Sequence, residues 1–587
     1  MVKKVKPVQT CDFLADFLVQ EKVGVVFGMI GGMVAFLTDA LGRRGKTPFV
    51  TMHHEQAAAF AAEAYGRVKG TPGVAMATSG PGATNLVTGI GSCFFDASPA
   101  VFITGQISTG DLASRRKVRQ KGFQETDIVA IAGPVTKAAW RAGTPAEVAD
   151  RLREAFRLAV EPRQGPVLLD VPIDVQRTAH VFLPEKCRPV KERPCPDGRD
   201  FTRRLYEALG QSSRPLVLVG GGASAARCRD SLKTWLAAVR VPVVTSLLGM
   251  DAVAYDDASR VGFIGSYGNR FANIVLKESD LLIVLGSRLD VRQTGTETAA
   301  FREGKKIFHV DCDPEELNNR IRGCDVLCAD LKAWLTSAIA AYPGRRNDAR
   351  ASWTARIAAL KTMFPDTDEL DCGKGGINPN KFMHALSRAS GAALGFAVDV
   401  GQHQMWAAQS IELKKGQRFI TSGGMGAMGF ALPAGVGMAY AGKDRPVVVI
   451  AGDGGFQMNI QELETVKRHR IPLKMVVMNN RSLGMVRQFQ DEFFECRHGG
   501  TIGGYSYPDF LKVAHAYGIP AKRVRRDSRV CEAVDWLWAD PLAPALLEVE
   551  IPVTANVHPK VQFCKPIHEM EPYRATPSAD YLGKGRD

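Results

Sequence analysis

The sequence predicts an α/β protein of three doubly wound, parallel-sheet domains followed by a C-terminal tail. Short apolar runs alternate with helical patterns almost throughout the 587 residues, which is how parallel sheets are built through crossover helices. Glycine-rich turns follow many of those runs, as in "VAMATSGPGATN", "PLVLVGGGAS" and "VVVIAGDGG". The length exceeds what one hydrophobic core supports, and two polar, Pro- or charge-rich stretches divide the chain.

The first domain covers residues 1–182 and closes on the apolar run "GPVLLDVPIDVQ". Within it "FVTMHHEQAAAFAAEAYGRV" reads as a strand and an Ala-rich helix, with Glu55 at the helix start, where the dipole favours a carboxylate. "VAMATSGPGATNLVTGI" repeats the pattern around a tight Gly-Pro-Gly bend. Leu183–Asp200 reads as a linker. The second domain, residues 200–342, opens with a strand, Gly220, Gly221, Gly222 and a helix, an arrangement that suits phosphate at a helix N-terminus. A polar, helical second linker leads to the third domain, residues 377–555. The tail, residues 556–587, lacks periodicity and is expected to cover something.

The third domain holds the most informative stretch, "IAGDGGFQMNIQELETVKRHRIPLKMVVMNN". Val447–Ala451 and "PLKMVVMNN" read as buried strands, and "NIQELETVKRHR" between them reads as a helix with Ile460, Leu463 and Val466 on one face. A strand–helix–strand crossover makes the two strands parallel, so Asp453 and Asn480 end on one edge of the sheet. A carboxylate beside an amide oxygen offers hard ligands suited to Mg²⁺ holding a diphosphate.

Composition narrows the alternatives. Charged residues make up 23% and hydrophobic ones 45%, ordinary for a globular protein, and no apolar run approaches membrane-spanning length. The N-terminus lacks a secretory pattern, so a cytoplasmic protein is expected. The twelve cysteines form no framework, and Cys324 and Cys328 have no partnering pair for zinc. The net charge of +14 is diffuse, and its one dense cluster, Ser114–Lys121, has no interleaved aromatics. Small anions are therefore the expected partners rather than nucleic acid.

Taken together, HHEQ with SGPGATN in the first domain and GDG with NN in the last resemble the thiamine diphosphate enzymes. The resemblance is closest to acetolactate synthase large subunits and their surface-polysaccharide-linked relatives. It runs nearly the whole chain through "VFGMIGG", "FQE", "DVGQHQMWAAQ", "TSGGMGAMGFALPA" and "NNRSLGMV". It implies thiamine diphosphate and Mg²⁺ as cofactors, the metal held by Asp453, Asn480 and the Ser482 carbonyl. It further implies cofactor contacts at Gly31, Gly32, Pro81, Asn85, Gln402, His403, Gly426, Gly452, Gly454, Gly455, Leu483, Gly484 and Met485, with Met428 wedging the cofactor into its bent shape. Glu55 would hydrogen-bond the aminopyrimidine from a neighbouring subunit, so active sites at the interface of a homodimer or tetramer are implied, and a regulatory subunit is admitted. Phe123, Gln124 and Lys137 match catalytic-side family positions. In the central domain the resemblance points to FAD at Gly220, Gly221, Gly222, Gly286, Arg288, Asp290, Arg292 and Asp311, the alternative being a domain that kept its fold and lost its flavin.

The implied activity is a carboligase. It decarboxylates pyruvate and transfers the two-carbon unit to a second carbonyl, with no protein nucleophile required. The acceptor pocket would comprise Ser266, Tyr267, Arg292 and Phe489. Here the chain departs from the family: Gly265-Ser266-Tyr267-Gly268 replaces Gly-Met-His-Gly, Phe489 replaces a tryptophan, and Met29-Ile30 replaces Tyr-Pro. A second pyruvate and a nucleotide-linked keto sugar are therefore both open as acceptors. A flavin-linked decarboxylase or oxidase is a further alternative.

Overall fold

The computed structural model describes residues 6–114, 117–183, 197–344, 350–443 and 445–576. Most of the first linker and the end of the tail lie outside the described residues, as do two positions of the 114–121 basic cluster.

Three six-stranded parallel sheets form the body of the molecule. The first contains β1 (Val26–Gly28), β2 (Phe49–Thr51), β3 (Gly73–Ala77), β4 (Ala100–Gln106), β5 (Ala138–Arg141) and β6 (Pro166–Pro172), ordered β2-β1-β3-β4-β6-β5. The second contains β7 (Pro215–Val219), β8 (Val243–Thr245), β9 (Arg260–Phe263), β10 (Leu281–Leu285), β11 (Lys306–Asp311) and β12 (Asp325–Cys328), ordered β9-β8-β7-β10-β11-β12. The third contains β13 (Gly395–Val398), β14 (Arg418–Thr421), β15 (Val447–Gly452), β16 (Leu473–Asn479), β17 (Ala521–Val524) and β18 (Ala545–Glu550), ordered β14-β13-β15-β16-β18-β17. The first and third sheets thus share one winding. The central sheet follows the 3-2-1-4-5-6 order of dinucleotide-binding folds. Helices cover both faces of each sheet, which is why strands such as Val447–Gly452 are apolar and buried at every position.

The first and third domains meet through helices Glu55–Lys69 and Ala431–Gly442. The contact is backbone-close: a Cβ on Gly437 would stand 2.0 Å from the Ala61 carbonyl oxygen. Ala57, Ala58, Ala59, Ala61, Ala62 and Ala64 supply the small side chains that permit it, and Phe60 packs edge-on against Phe430 at 5.2 Å.

Two sequence expectations change in detail. The helix predicted from Asn459 onward is shorter, Glu462–Arg468, and a separate helix, Asp453–Met458, precedes it. They part at Asn459, whose Nδ2 donates to the Gly429 carbonyl at 2.8 Å and to Gln56 Oε1 at 3.3 Å. The helix Ala351–Met363, in the stretch read as the second linker, packs Trp353, Ile357 and Leu360 into the core of the second sheet. Trp353 donates from Nε1 to the Pro215 carbonyl at 3.1 Å. The tail folds back on that domain as a ribbon of Lys560–Val561 and Met570–Glu571, and the Val561 N–H donates to the Ser266 carbonyl at 2.8 Å. Among the described residues no helix is long and apolar enough to cross a membrane.

Candidate active site

At the C-terminal edge of the first sheet, β2 runs into the helix that begins at Glu55. The Glu55 side chain is buried, and its Oε2 accepts a hydrogen bond from Asn85 Nδ2 at 2.9 Å. Asn85 ends the short helix Pro81–Asn85 that follows β3. The turn before that helix needs glycine, because Gly80 has φ +63° and a Cβ there would meet Gln124 at 3.0 Å. Gly31 packs on Thr78 so closely that its own Cβ would lie 2.5 Å away. Glu55, Gly31, Pro81, Asn85 and Gln124 are therefore drawn to one edge, and Phe123 beside them is 79% exposed. Gly32 follows Gly31 with nothing near its Cβ position.

The third sheet presents the matching edge. Asp453 follows β15 and Asn480 follows β16, the neighbouring parallel strand. Asp453 is 2% exposed, and burial pushes its carboxyl up to about 7 despite a 2.9 Å hydrogen bond from the Tyr505 hydroxyl. Asn480 donates from Nδ2 to Gln402 Oε1 at 2.9 Å and accepts the Ser482 N–H at 3.1 Å. Gly484 packs against the same two side chains, with 2.1 Å between its Cβ position and Gln402 Oε1. His403 is buried and neutral, its pKa lowered to about 3 by desolvation. Its Nε2, like Ser482 Oγ, is buried without a partner.

Glycines complete the cradle. A Cβ on Gly454 would lie 2.5 Å from Leu483, 3.3 Å from Met428 Cε and 3.4 Å from the Tyr505 oxygen, and one on Gly452 would lie 2.9 Å from His403 Nδ1. Gly455 abuts Asp399, whose carboxylate accepts the N–H groups of Val400, Gly429 and Ala431 at 2.8–3.0 Å and so fixes the turn containing Gly426 and Met428. Met428 is half-buried rather than a core methionine, and Met485 is half-buried against the third core. A buried carboxylate that resists ionisation, adjoining an amide oxygen, unpartnered buried polar atoms and a glycine floor fits a divalent cation holding a diphosphate. The same cation would relieve the cost of ionising Asp453.

The second sheet opens on a cavity of about 320 Å³ between all three domains. Gly221, Gly222, Gly286, Arg288, Asp290, Arg292 and Asp311 line it, together with Ser266 and Tyr267. Gly220 lies beneath, its Cβ position 2.1 Å from the Gly286 carbonyl oxygen. Burial raises Asp311 to about 6. Arg292 is exposed and has no carboxylate within ion-pair range among the described residues; its guanidinium makes long hydrogen bonds to the Gly423 carbonyl and Met405 Sδ. Ser266 directs its N–H and hydroxyl at the Arg292 carbonyl, at 2.7 and 3.3 Å.

Two of the candidate residues stand elsewhere. Lys137 precedes β5, at the opposite edge of its parallel sheet, and its ammonium donates to the carbonyls of Leu158 and Glu161 at 2.6 and 2.7 Å. It thus caps the C-terminus of the helix Pro145–Val160, away from Glu55 in its own chain. Phe489 does not line the cavity; it packs with Phe493 and Phe494 at 4.5 and 5.9 Å.

Three residues that the sequence reading passed over shape the site. Tyr505 contacts Asp453. Glu462 accepts the N–H groups of His53 and His54, immediately before Glu55. Asp96 accepts those of Gly423 and Gly424 at 2.8 and 2.6 Å, holding the loop that leads to Met428. The "QELET" motif was a signal for Glu462; Tyr505 lies in a loop with no periodic pattern.

Comparison with known proteins agrees with this layout. Residues 9–131 match the thiamine pyrophosphate enzyme N-terminal TPP binding domain, 202–337 the central domain and 399–549 the C-terminal TPP binding domain. The chain is 37% identical over 539 residues to the acetolactate synthase isozyme 2 large subunit of Escherichia coli strain K12, covering 92% of this chain and 95% of that one. It is 35% identical over 557 residues to the acetolactate synthase large subunit of Parasynechococcus marenigrum, covering 93% and 88%. It is also 35% identical over 573 residues to the chloroplastic acetolactate synthase 2 of Nicotiana tabacum, covering 95% and 84%.

Proposed function

The chain belongs to the thiamine pyrophosphate enzymes, with acetolactate synthase large subunits among its relatives, and from that premise we propose that it is a carboligase acting on pyruvate. It decarboxylates pyruvate and passes the two-carbon unit to a second carbonyl compound. The observation that carries this reading is the presence of two complementary edges, one in the first domain and one in the third. One holds a buried carboxylate, Glu55, at a helix start, and the other holds Asp453 and Asn480 above a glycine floor.

Thiamine diphosphate, when bound, supplies a nucleophilic carbon that adds to the keto group and accepts the electrons released with carbon dioxide. The residues of the chain hold, orient and exclude water. Asp453, Asn480 and the Ser482 carbonyl would hold Mg²⁺, with Gly452 and Gly454 giving the phosphate oxygens access to the backbone. Met428 and Leu483 fill the space beside Gly454 and keep it apolar. Glu55 holds or releases a proton at its Oε1, because Asn85 occupies Oε2. Two chains would contribute to each site, which makes at least a dimer the active form.

The central cavity is proposed to take FAD. Its glycines, its strand order and Asp311 fit a dinucleotide, and Arg292 at its rim offers the acceptor a planar guanidinium with no carboxylate partner among the described residues. A second reading concerns that acceptor: Ser266 in place of the family's methionine makes this wall smaller and more polar, which favours a hydroxyl-rich keto compound such as a nucleotide-linked keto sugar.

The test is incubation of the purified protein with thiamine diphosphate, Mg²⁺, FAD and labelled pyruvate alone. Matched release of carbon dioxide and acetolactate supports a second pyruvate as acceptor. Slow carbon dioxide release that accelerates on adding a keto sugar supports the second reading. Oxygen uptake or free acetaldehyde as the main product would overturn the carboligase.

A further inference from the structure

The helix Gly484–Phe493 leaves the third sheet edge and ends in a turn that doubles back on it. The reversal passes through Glu495 and Cys496, both left-handed at φ +50° and +58°. It brings Cys496 and His498 against Asp491 on the last turn of the helix. The thiol sulfur, a ring nitrogen and a carboxylate oxygen all lie within 4.8 Å of one another, the one such group of three among the described residues. His498 Nε2 is 2.6 Å from Asp491 Oδ1, and Asp491 Oδ2 is held by Arg487 Nη1 at 2.6 Å.

From this geometry we propose a transition-metal site for Zn²⁺ at Asp491, Cys496 and His498, distinct from the oxygen ligands at Asp453 and Asn480. The ligand set decides the class of ion. A thiolate and an imidazole are soft and borderline donors that favour Zn²⁺ over Mg²⁺, which takes oxygen. Three protein ligands leave a fourth tetrahedral position open to water or an exogenous anion. Binding requires no electron transfer. The Cys496 thiol loses its proton to solvent as the metal–sulfur bond forms. The His498 ring keeps one proton, on Nδ1, while Nε2 changes from partner of Asp491 to ligand.

The 2.6 Å His498–Asp491 separation must then open to roughly 3.3 Å, the spacing of two tetrahedral ligands at about 2.05 Å. Cys496 is exposed and the turn around it is at the surface, so that movement displaces no core. Arg487 remains on the second carboxylate oxygen, orienting Asp491 and limiting it to one metal bond. The Arg487 guanidinium is a cation in contact with the cluster, and it opposes a divalent ion. Loss of the thiol proton supplies the compensating negative charge.

The experiment is titration of the full-length protein, with Mg²⁺ in excess, by Co²⁺ as a coloured substitute and then by Zn²⁺. Expected are one equivalent per chain, a thiolate-to-cobalt absorption band, and displacement of that band by Zn²⁺. Cys496→Ser should abolish the band, and His498→Ala should weaken Zn²⁺ binding by about tenfold or more. Neither residue belongs to the proposed catalytic machinery, so unchanged turnover with Mg²⁺ alone reports that both variants fold. A band that persists in Cys496→Ser, or Zn²⁺ affinity unaltered in His498→Ala, would overturn the site.

Discussion

Glu462 Oε1 accepts the backbone N–H of His53 at 2.8 Å, and that of His54 at 3.1 Å, from more than 400 positions along the chain. The helix that begins with Glu55 is thereby fastened from the third domain. Burial pushes the Glu462 carboxyl up to about 7, outweighing the hydrogen bonds from Thr465, His53 and His54 that act the other way. A carboxyl raised above its unfolded value binds more protons when folded, so its contribution is complete below about 4.5 and is lost as pH climbs through about 7. The difference amounts to about 3 kcal/mol at most. Urea denaturation at pH 5.0 and 7.5 should show wild type losing stability across that window and Glu462→Gln losing less. Parallel slopes for the two proteins would contradict the raised value.

Glu55→Gln keeps the side chain's shape and an oxygen for Asn85 to donate to, while removing the ionisable group. Turnover should fall by about 10²- to 10⁴-fold with the melting temperature unchanged. Steady-state kinetics and a thermal melt on one preparation settle it, and full activity would remove Glu55 from the reaction.

Chelation should abolish turnover, and added Mg²⁺ should restore it. In Asp453→Asn the buried charge that a cation needs is gone. The Mg²⁺ concentration for half-maximal activity should rise by at least about 100-fold, more than loss of an outer partner produces. Isothermal titration with thiamine diphosphate in the presence of Mg²⁺ gives the same answer without relying on turnover.

Gly437→Ala tests the contact between the first and third domains. Alanine is the better helix former by about 1 kcal/mol, so propensity alone makes the change stabilising. The added Cβ would stand 2.0 Å from the Ala61 carbonyl oxygen, and relieving that overlap should cost about 3 kcal/mol. A lowered denaturation midpoint is the expected result.

Lys137→Ala should lower stability by about 1 kcal/mol, because a cation leaves the carbonyl end of the helix Pro145–Val160. The kcat should stay within a factor of two or so of wild type. A large kcat loss at unchanged stability would return Lys137 to the active site.

The strands, the turns and the edge shared by Asp453 and Asn480 were legible because they follow local rules: apolar runs, glycine bends and the parallelism of a crossover. Glu55 and Asn85 were legible as motif members, though not as hydrogen-bonded partners. What escaped depends on contacts between distant segments. No periodicity in "GTIGGYSYPDF" says that Tyr505 reaches Asp453, and nothing near Glu462 names His53 as its partner. The helix break at Asn459 is set by Gly429 and Gln56, which local propensity does not register. The helix-capping contacts of Lys137 also escaped, because matching a family position does not reveal which end of its strand a residue occupies.

The winding shared by the first and third sheets gives their loops equivalent addresses. The turn Thr78–Gly82 and the turn Gly452–Gly455 each leave the third strand of their own sheet in chain order, and both are rich in glycine. One architectural plan, used twice, thus sets a glycine-rich turn at the same address of both sheets, and under the proposed function each would grip one end of a single elongated molecule. Shortening or lengthening either turn alters one grip without disturbing the other. Transplanting loops between the two sheets, address for address, is therefore a route to redesigning which molecule this scaffold carries.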